Sequence, residues 1–323
     1  MQALVVSGDD AECVRFVADH PDPTAAPGEV LICVALAGVC ATDLEIVRGY
    51  MRFSGVPGHE FVGPVCAGPD ELLGRRVVPE INCVCGQCDL CRHGLSNHCP
   101  NRTVLGIAGR DGAFAEFVAV PARNCHIVPD TISDRQAVFV EPLAAAAHVL
   151  DALPIGRDTR VAVLGSGRLG LLVAQVLALQ ECDLEVIGRN PRTLDFCRRR
   201  GIRTCGLEDV PAAADRDVVV ECTGSPDGLR LALRLCRPCG TLVLKSTYAA
   251  PAAIDLAPVV INEVRVIGSR CGPFPQALRL LAERRVAVDE LVTAVYPLAQ
   301  GVEALAAAAR PEHIKVLLQP GVA

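Results

Sequence analysis

The chain has 323 residues, of which 51% are apolar, and its formal net charge is −6. At the usual size of about 100 to 200 residues per domain, this length predicts two domains or one large one. No long run of one charge is present, which argues against nucleic acid or an anionic membrane surface as a partner. The sequence shows neither the pattern of a secretory signal nor about 18 consecutive apolar residues, so we expect a soluble, cytoplasmic protein without a membrane span. Its 17 cysteines, an odd number, favour metal binding or burial over disulfides.

The first 150 or so residues predict a β-rich domain with long loops. Short apolar runs at 29–35, 76–78 and 115–120 are separated by Gly and Pro turns. Strands bounded by such turns typically have this pattern.

Three segments of this part carry residue types that suit one open metal site. They are Gly-Val-Cys-Ala-Thr-Asp at 38–43, Pro-Gly-His-Glu at 57–60 and Glu-Pro-Leu-Ala at 141–144. One thiolate, one imidazole and one or two carboxylates can hold zinc while leaving a position for water or substrate. Zinc held in this way lowers the pKa of a bound hydroxyl toward about 7. Taken singly, the Cys or the His of such a segment also fits a structural role.

Four cysteines are closely spaced between the second and third of these segments. Cys85, Cys88, Cys91 and Cys99 lie in a loop that contains two glycines. Four thiolates form the tetrahedral set of a structural zinc, with no position left for chemistry. A chance cluster of thiols is the alternative, and Cys83 leaves open which four sulfurs bind.

From about residue 152 the pattern changes to short apolar runs that alternate with helical patterns. We predict strands at 160–164, 184–187, 217–221 and 240–244, and helices at 168–180, 193–200 and 228–235. Such alternation predicts βαβ units and a doubly wound parallel sheet. After about residue 268, a helix at 276–284 and a strand at 314–318 are expected.

A glycine-rich turn follows the first of these strands and begins a helix. Its residues are Gly165, Gly167, Arg168, Leu169 and Gly170. The glycines permit a tight turn and close approach of a pyrophosphate, whose charge the helix N-terminus favours. A turn without a ligand is the alternative.

In this order the motifs resemble those of the medium-chain dehydrogenase/reductase superfamily, specifically its zinc-dependent alcohol and polyol dehydrogenases. The resemblance covers essentially the whole chain. It implies an α/β protein that combines a GroES-like β-rich catalytic domain with a Rossmann cofactor domain, which is a doubly wound parallel sheet. The catalytic domain would comprise residues 1–148, completed by 268–323, and the cofactor domain residues 149–267.

The resemblance also implies roles for the residues of the open metal site. Cys40 and His59 match metal ligands, and Glu60 matches a ligand or an alternate ligand. Glu141 stands where polyol and sugar dehydrogenases carry a carboxylate at or next to the metal. Asp43 matches an acid that orients the imidazole, and a turn-capping role is the alternative.

By the same resemblance, Thr42 passes the proton of the substrate outward. Many relatives continue this relay with a histidine three residues later, where this chain has Glu45. Glu45 either accepts the proton or is an exposed helix residue.

The strand predicted at 184–187, which follows the helix after the glycine-rich turn, bears on the choice of cofactor. NAD-preferring sites end it with an acid that binds the ribose 2′-hydroxyl, but here Gly188 stands at that position and Arg189 follows. Without the acid a 2′-phosphate is not repelled, and an arginine can bind it. We therefore expect NADP(H) to be preferred over NAD(H), with use of both as the alternative. Thr223 and Lys315 match cofactor-contacting positions, although both also fit structural roles.

The resemblance implies hydride transfer between an alcohol or polyol, or the matching carbonyl, and a nicotinamide cofactor. It also implies two zinc ions per chain, one catalytic and one structural, a small-molecule substrate, and a homodimer or homotetramer. Glu141 and Glu45 favour polar alcohols. The alternatives are a zinc-free quinone or enone reductase of the same superfamily and a non-catalytic zinc- and nucleotide-binding protein.

Overall fold

The structure, a computed structural model, describes residues 1–7, 14–247 and 253–321. The chain divides into two compact units. Unit 1 comprises Met1–Glu141, Ala277–Glu283 and Val288–Ala323, and unit 2 comprises Pro142–Gln276 and Arg284–Ala287. Within the described ranges, no helix combines the length and the apolar character needed to cross a bilayer.

We number the elements along the chain. The strands before residue 141 are β1 (Ala3–Val6), β2 (Val14–Val17), β3 (Glu29–Cys33), β4 (Leu36–Gly38), β5 (Glu60–Ala67), β6 (Arg76–Pro79), β7 (Asn82–Cys83), β8 (Thr103–Leu105), β9 (Gly109–Arg110), β10 (Phe117–Pro121) and β11 (Cys125–Ile127). The helices that begin in the same segment are α1 (Ala41–Val47), α2 (Asp89–Arg92), α3 (Asp134–Ala137) and α4 (Val140–Ala147).

The remaining elements alternate along most of their length. In chain order they are α5 (Val149–Ala152), β12 (Arg160–Leu164), α6 (Arg168–Ala178), β13 (Asp183–Gly188), α7 (Pro191–Arg198), β14 (Arg203–Gly206), β15 (Arg216–Glu221), α8 (Pro226–Leu235), β16 (Cys236–Leu244), α9 (Ala257–Ile261), β17 (Arg265–Gly268), α10 (Phe274–Ala282), β18 (Val292–Pro297), α11 (Gly301–Ala308) and β19 (Lys315–Gln319).

The main sheet of unit 1 has the strand order β10-β3-β5-β4-β19-β18, and β6 joins it beside β5 and pairs with β11. Strand β3 illustrates why these segments are extended, because Val30 and Ile32 are fully buried while their neighbours are half-buried. Strand β4 lies between β5 and β19, with Gly38 opposite Glu60 on one side and Leu317 on the other. This register brings the end of β4 and the start of β5 together beside the middle of β19.

The sheet of unit 2 has the order β14-β13-β12-β15-β16-β17, and all of its strand pairs are parallel. Counted from β12, this is the order 3-2-1-4-5-6 of a Rossmann sheet, which confirms the predicted doubly wound fold. In such sheets ligands bind at the carboxyl ends of the strands where the order reverses, here beside β12 and β15.

In unit 2, β14 and β17 were not predicted, and they are the two edge strands of its sheet; in unit 1, the predicted strands correspond to β3, β6, β10 and β19 only. Edge strands are covered less completely, so they carry weaker apolar patterns. Strand β14 reads Arg-Thr-Cys-Gly, and most residues of β17 are exposed. A search for apolar runs favours central strands for this reason.

Candidate metal and cofactor sites

A thiol, an imidazole and a carboxylate come together in unit 1. One ligand atom from each of Cys40, His59 and Glu60 lies within 4.8 Å of the other two. Cys40 follows β4 and Glu60 begins β5, so the pairing of these strands sets their proximity. His59 and Glu60 are 3% and 2% exposed. Cys40 is half-buried, and this set of one sulfur, one nitrogen and one oxygen fits the ligands of a catalytic zinc with one position left open.

Asp43 lies beside this group. Its Oδ1 lies 3.3 Å from Nδ1 of His59, and its Oδ2 accepts a hydrogen bond of 2.8 Å from the backbone N–H of Cys40. The carboxylate is fully buried in the first turn of α1. Because Asp43 engages Nδ1, the other ring nitrogen of His59 is left for a metal, as is usual for histidine ligands. The hydrogen bond to Cys40 is the one that a turn-capping aspartate makes, and the role of Asp43 in orienting the imidazole stays a prediction.

The charges in the group favour the ligand form of the thiol. Burial alone would raise the pKa of Cys40, but the contact with the His59 imidazole outweighs it and the pKa falls. Burial likewise disfavours the imidazolium of His59, yet the Asp43 carboxylate and Cys40 raise its pKa well above the usual value. A thiolate is the form of cysteine that binds metals.

Lys315 is buried in the same group. Its Nζ forms an ion pair with Oε2 of Glu60 and lies 3.4 Å from the carbonyl oxygen of Val39. The ring of Phe139 is centred 5.7 Å from this nitrogen. Burial lowers the pKa of Lys315 to about 8, against the charges of Cys40 and Asp43, which raise it. From the sequence, Lys315 matched a cofactor-contacting position, and its contact with Glu60 was not predicted. The sequence did hold one signal for a special role of Lys315, because lysine is rare in this chain and occurs only twice.

The other residues predicted near this site are placed differently. The hydroxyl of Thr42 lies 3.7 Å from the Cys40 sulfur. Glu45 is on the same helix and pairs with Arg48 at 2.5 Å, with a quarter of its side chain exposed. Glu141 lies in the first turn of α4 and is not among the three clustered ligands.

The four cysteines of the loop between β7 and β8 face one another. Sulfur–sulfur distances are 3.4 Å for Cys88 and Cys91, 3.8 Å for Cys88 and Cys99, and 3.6 Å for Cys85 and Cys99. A tetrahedral zinc with Zn–S bonds of about 2.3 Å requires sulfurs about 3.8 Å apart, so the spacing fits. The backbone N–H groups of Gln87 and Cys88 lower the pKa of the Cys85 thiol to about 6.

Cys83, the extra thiol near the quartet, is not part of the cluster. It is buried in β7, and its sulfur accepts a hydrogen bond of 3.8 Å from Nδ2 of Asn124. The close group of sulfurs consists of the four residues that sequence analysis selected.

The glycine loop of unit 2 lies between β12 and α6. Gly165 has φ of +109°, which favours glycine, and a side chain at Gly170 would collide with the carbonyl oxygen of Gly165. A Cβ at Gly167 would meet nothing within 4 Å, so space is open above the start of α6. Arg168 and Leu169 form the first turn of this helix. Gly165 turns the chain, Gly167 leaves open space and Gly170 allows the helix to pack closely. This arrangement fits the binding of a dinucleotide pyrophosphate.

Two further predicted cofactor segments also lie in unit 2. Gly188 ends β13, and Arg189 after it is exposed. Thr223 follows β15, and its N–H and hydroxyl both donate to Oε1 of the buried Glu221, at 2.6 and 2.5 Å. Both segments lie at the carboxyl ends of parallel strands, where Rossmann sheets bind ligands.

Comparison with known proteins extends over the whole chain. The family profile of the alcohol dehydrogenase GroES-like domain matches residues 26–130, and that of the glucose dehydrogenase C-terminus matches residues 135–319. A sorbitol dehydrogenase of Halalkalibacterium halodurans is 29% identical, covering 94% of this chain and 95% of the relative. The L-threonine 3-dehydrogenase of Streptomyces coelicolor is 33% identical, covering 83% of each chain.

Solved structures agree with these matches. A zinc-binding dehydrogenase of Sinorhizobium meliloti bound to NADP superimposes with a TM-score of 0.86 at 28% identity, covering 99% of this chain and 100% of that one. The alcohol dehydrogenase RspB of Escherichia coli in complex with NADH gives a TM-score of 0.89 at 26% identity, covering 99% of both chains. The chain therefore belongs to the zinc-dependent alcohol and polyol dehydrogenases of the medium-chain dehydrogenase/reductase superfamily, and it is an oxidoreductase.

Proposed function

We propose that the protein is a two-zinc dehydrogenase that transfers hydride between a polyol, or a similarly polar alcohol, and NADP(H). The observation that carries this proposal is the close group of Cys40, His59 and Glu60, of which His59 and Glu60 are buried. A zinc-free reductase is not favoured, because it would have no use for a thiolate, an imidazole and a carboxylate so close together. Curated relatives that include a sorbitol dehydrogenase and a D-arabinitol dehydrogenase support a polyol substrate.

In the proposed active site, Cys40 and His59 hold the catalytic zinc, with Glu60 as a further or alternate ligand. The ion, when bound, supplies a Lewis acid for the substrate hydroxyl. Asp43 holds the imidazole of His59 in one tautomer through the contact at Nδ1. Lys315 balances the carboxylate of Glu60. We propose the quartet of Cys85, Cys88, Cys91 and Cys99 as the structural zinc site.

The proposed proton path begins at Thr42. Its hydroxyl can accept a proton from the substrate and donate its own, because a hydroxyl does both. Glu45, three residues later on the same helix, is partly exposed and can pass the proton to solvent. Glu141 is proposed as a second carboxylate near the substrate, where its charge would favour polar alcohols.

The proposed cofactor domain corresponds to residues 149–267 and the catalytic domain to residues 1–148 with 268–323. The glycine loop would bind the pyrophosphate, and Thr223 would line the same edge of the sheet. Preference for NADP(H) is supported by the absence of a carboxylate at Gly188 and by the exposed Arg189 next to it. An arginine can bind a 2′-phosphate through charge-assisted hydrogen bonds.

We also propose that the protein forms a homo-oligomer. Support comes from apolar side chains that are exposed on α9 and on the edge strand β17. A second copy of the chain is the simplest cover for such a surface.

A panel of alcohols tested with both cofactors examines the proposed function. We expect kcat/KM for pentitols and hexitols to exceed that for aliphatic primary alcohols, with NADP+ favoured over NAD+. Arg189→Ala should reduce the ratio of NADP+ to NAD+ efficiency by roughly ten- to a hundredfold, since a hydrogen bond to a charged group contributes about 1.5 to 3 kcal/mol.

Arg198→Ala is the matched control for this experiment. Arg198 is exposed at the other end of α7, where it donates to the hydroxyl of Thr204 at 2.8 Å. Its removal should leave the cofactor ratio unchanged. An unchanged ratio in Arg189→Ala would refute the role of Arg189, and turnover confined to aliphatic alcohols would refute the polyol assignment.

A further inference from the structure

At the end of β13, the side chain of Ser166 fills the space beside Gly188. A Cβ built on Gly188 would lie 2.7 Å from Cβ of Ser166 and closer still to its Oγ. Rotation about χ1 could move the hydroxyl away, but it cannot move Cβ. The φ of Gly188 is not in the left-handed region, so the backbone itself does not require glycine here. Space alone therefore excludes a side chain at this position.

Ser166 is held firmly in that place. It lies between two glycines of the loop after β12, and it is only 7% exposed. Its Oγ accepts a hydrogen bond of 2.8 Å from the hydroxyl of Thr193, which is itself buried in the first turn of α7. This contact joins the glycine loop to the segment that follows β13. Relief of a clash at position 188 would require one of these two backbones to move.

The acid that NAD-preferring sites use for the ribose 2′-hydroxyl stands at the end of the second strand, the position of Gly188. We propose that Ser166 is a specificity-determining residue, because its side chain excludes any acid from position 188 and so leaves Arg189 as the charged group next to the 2′ position. This inference rests on the proposed preference for NADP(H). It adds that a residue of the glycine loop, and not only the segment after β13, determines the preference for NADP(H).

It follows that positions 166 and 188 are coupled. Gly188→Asp alone would place a carboxylate where Ser166 already is, and the loop would have to deform. Ser166→Gly removes the obstructing atoms and opens the space that the introduced aspartate side chain would need. The hydroxyl of Thr193 keeps a partner in that variant, because it lies 3.0 Å from the carbonyl oxygen of Asn190.

A double-mutant cycle on the full-length, zinc-loaded enzyme tests this coupling. The variants are Ser166→Gly, Gly188→Ala, Gly188→Asp and the two combinations with Ser166→Gly. Gly188→Ala adds one Cβ without charge, so it measures the steric effect in a milder form. The first readout is the midpoint of thermal unfolding without cofactor, and the second is the Kd for NAD+ and for NADP+ by titration calorimetry.

We expect Gly188→Ala and Gly188→Asp each to lower the midpoint by several degrees beside Ser166, and by much less beside glycine. The pair Ser166→Gly with Gly188→Asp should shift the ratio of the two Kd values toward NAD+ by about tenfold or more relative to Gly188→Asp alone. The role of Ser166 would be overturned if the changes in thermal midpoint were additive. It would also be overturned if Gly188→Asp alone shifted the Kd ratio as far as the double variant does. A wild-type enzyme that binds NAD+ more tightly would instead refute the proposed NADP(H) preference, and the thermal midpoints would still decide whether Ser166 obstructs position 188.

Discussion

Lys315 and Glu60 form a pair of opposite charges that is almost completely buried. Each side chain is 2% exposed, so neither charge is solvated by bulk water. Such a pair contributes little net stability compared with apolar residues, but the loss of one partner leaves the other charge uncompensated. Cys40 and Asp43 lie nearby and both raise the pKa of Lys315, so they favour its ammonium form.

Removal of the ammonium should therefore be more harmful than removal of both charges. Lys315→Met leaves Glu60 unpaired, and breaking a buried pair in this way costs about 3 to 5 kcal/mol. We expect the midpoint of thermal unfolding to fall by several degrees and to recover in large part when Glu60→Gln is added. Calorimetry of the metal-free protein measures both effects without a contribution from zinc at Glu60.

Lys245→Met serves as the control, since Lys245 donates to the carbonyl oxygens of Ala145 and Arg270 and to the hydroxyl of Ser269. Any instability in this variant should not be relieved by Glu60→Gln. Equal rescue in both backgrounds, or a Lys315→Met protein as stable as the wild type, would contradict the charge-balance account.

At the scale of elements, features that depend on short motifs could be predicted, whereas the pairing of strands distant in the sequence could not. Cys40, His59 and Glu60 were recognisable because each lies in a Gly- or Pro-containing segment whose residue types suit a metal. The contact of Lys315 with Glu60 depends on β19 lying beside β4, and no local pattern shows which distant strands pair. The Rossmann sheet was predictable because its central strands are continuous apolar runs. The two edge strands of that sheet were missed because incomplete burial weakens the apolar pattern.

The loop that carries the cysteine quartet allows the two proposed zinc sites to be separated. We expect wild-type protein to hold two zinc ions per chain, and Cys88→Ser and Cys40→Ser to hold one each. Cys88→Ser should also make the loop more sensitive to proteolysis, because its four thiols hold a segment with little core of its own. Elemental analysis of extensively dialysed protein gives the counts.

Cys83→Ser is the matched control, because Cys83 is adjacent to the quartet but accepts a hydrogen bond from Asn124 instead of joining the cluster. This variant should keep both ions. A wild-type count near one, lost on Cys88→Ser but kept on Cys40→Ser, would leave only the structural ion and remove the basis for the catalytic site.

At the scale of the whole molecule, one edge of the sheet in unit 2 is unusually apolar. Strand β17 forms this edge, and Val266 on it is 46% exposed. Leu256, just before α9, is 63% exposed, and Val260 and Ile261 on that helix are 76% exposed. An exposed apolar edge strand invites pairing with another chain, and a two-fold axis lets the same edge pair with itself.

Charge placed on this surface should therefore weaken the proposed oligomer. We expect Val260→Glu combined with Ile261→Glu to lower the molar mass measured by light scattering to that of one chain at micromolar concentration. Val302→Glu is the control, since Val302 is 42% exposed on α11 of unit 1. If the wild type and both variants have the same molar mass, then either the contact between subunits lies elsewhere or the protein is a monomer.

The separation of the two metal sites along the chain has a consequence for biosynthesis. All four sulfurs of the quartet lie between residues 85 and 99, so they leave the ribosome together and well before β19. The other site is not complete until Lys315 emerges, because Glu60 lacks its counter-charge until then. In the proposed two-zinc enzyme, the nascent chain can therefore load its structural ion co-translationally. Loading of the catalytic ion would follow once β19 has paired with β4 and brought Lys315 to Glu60.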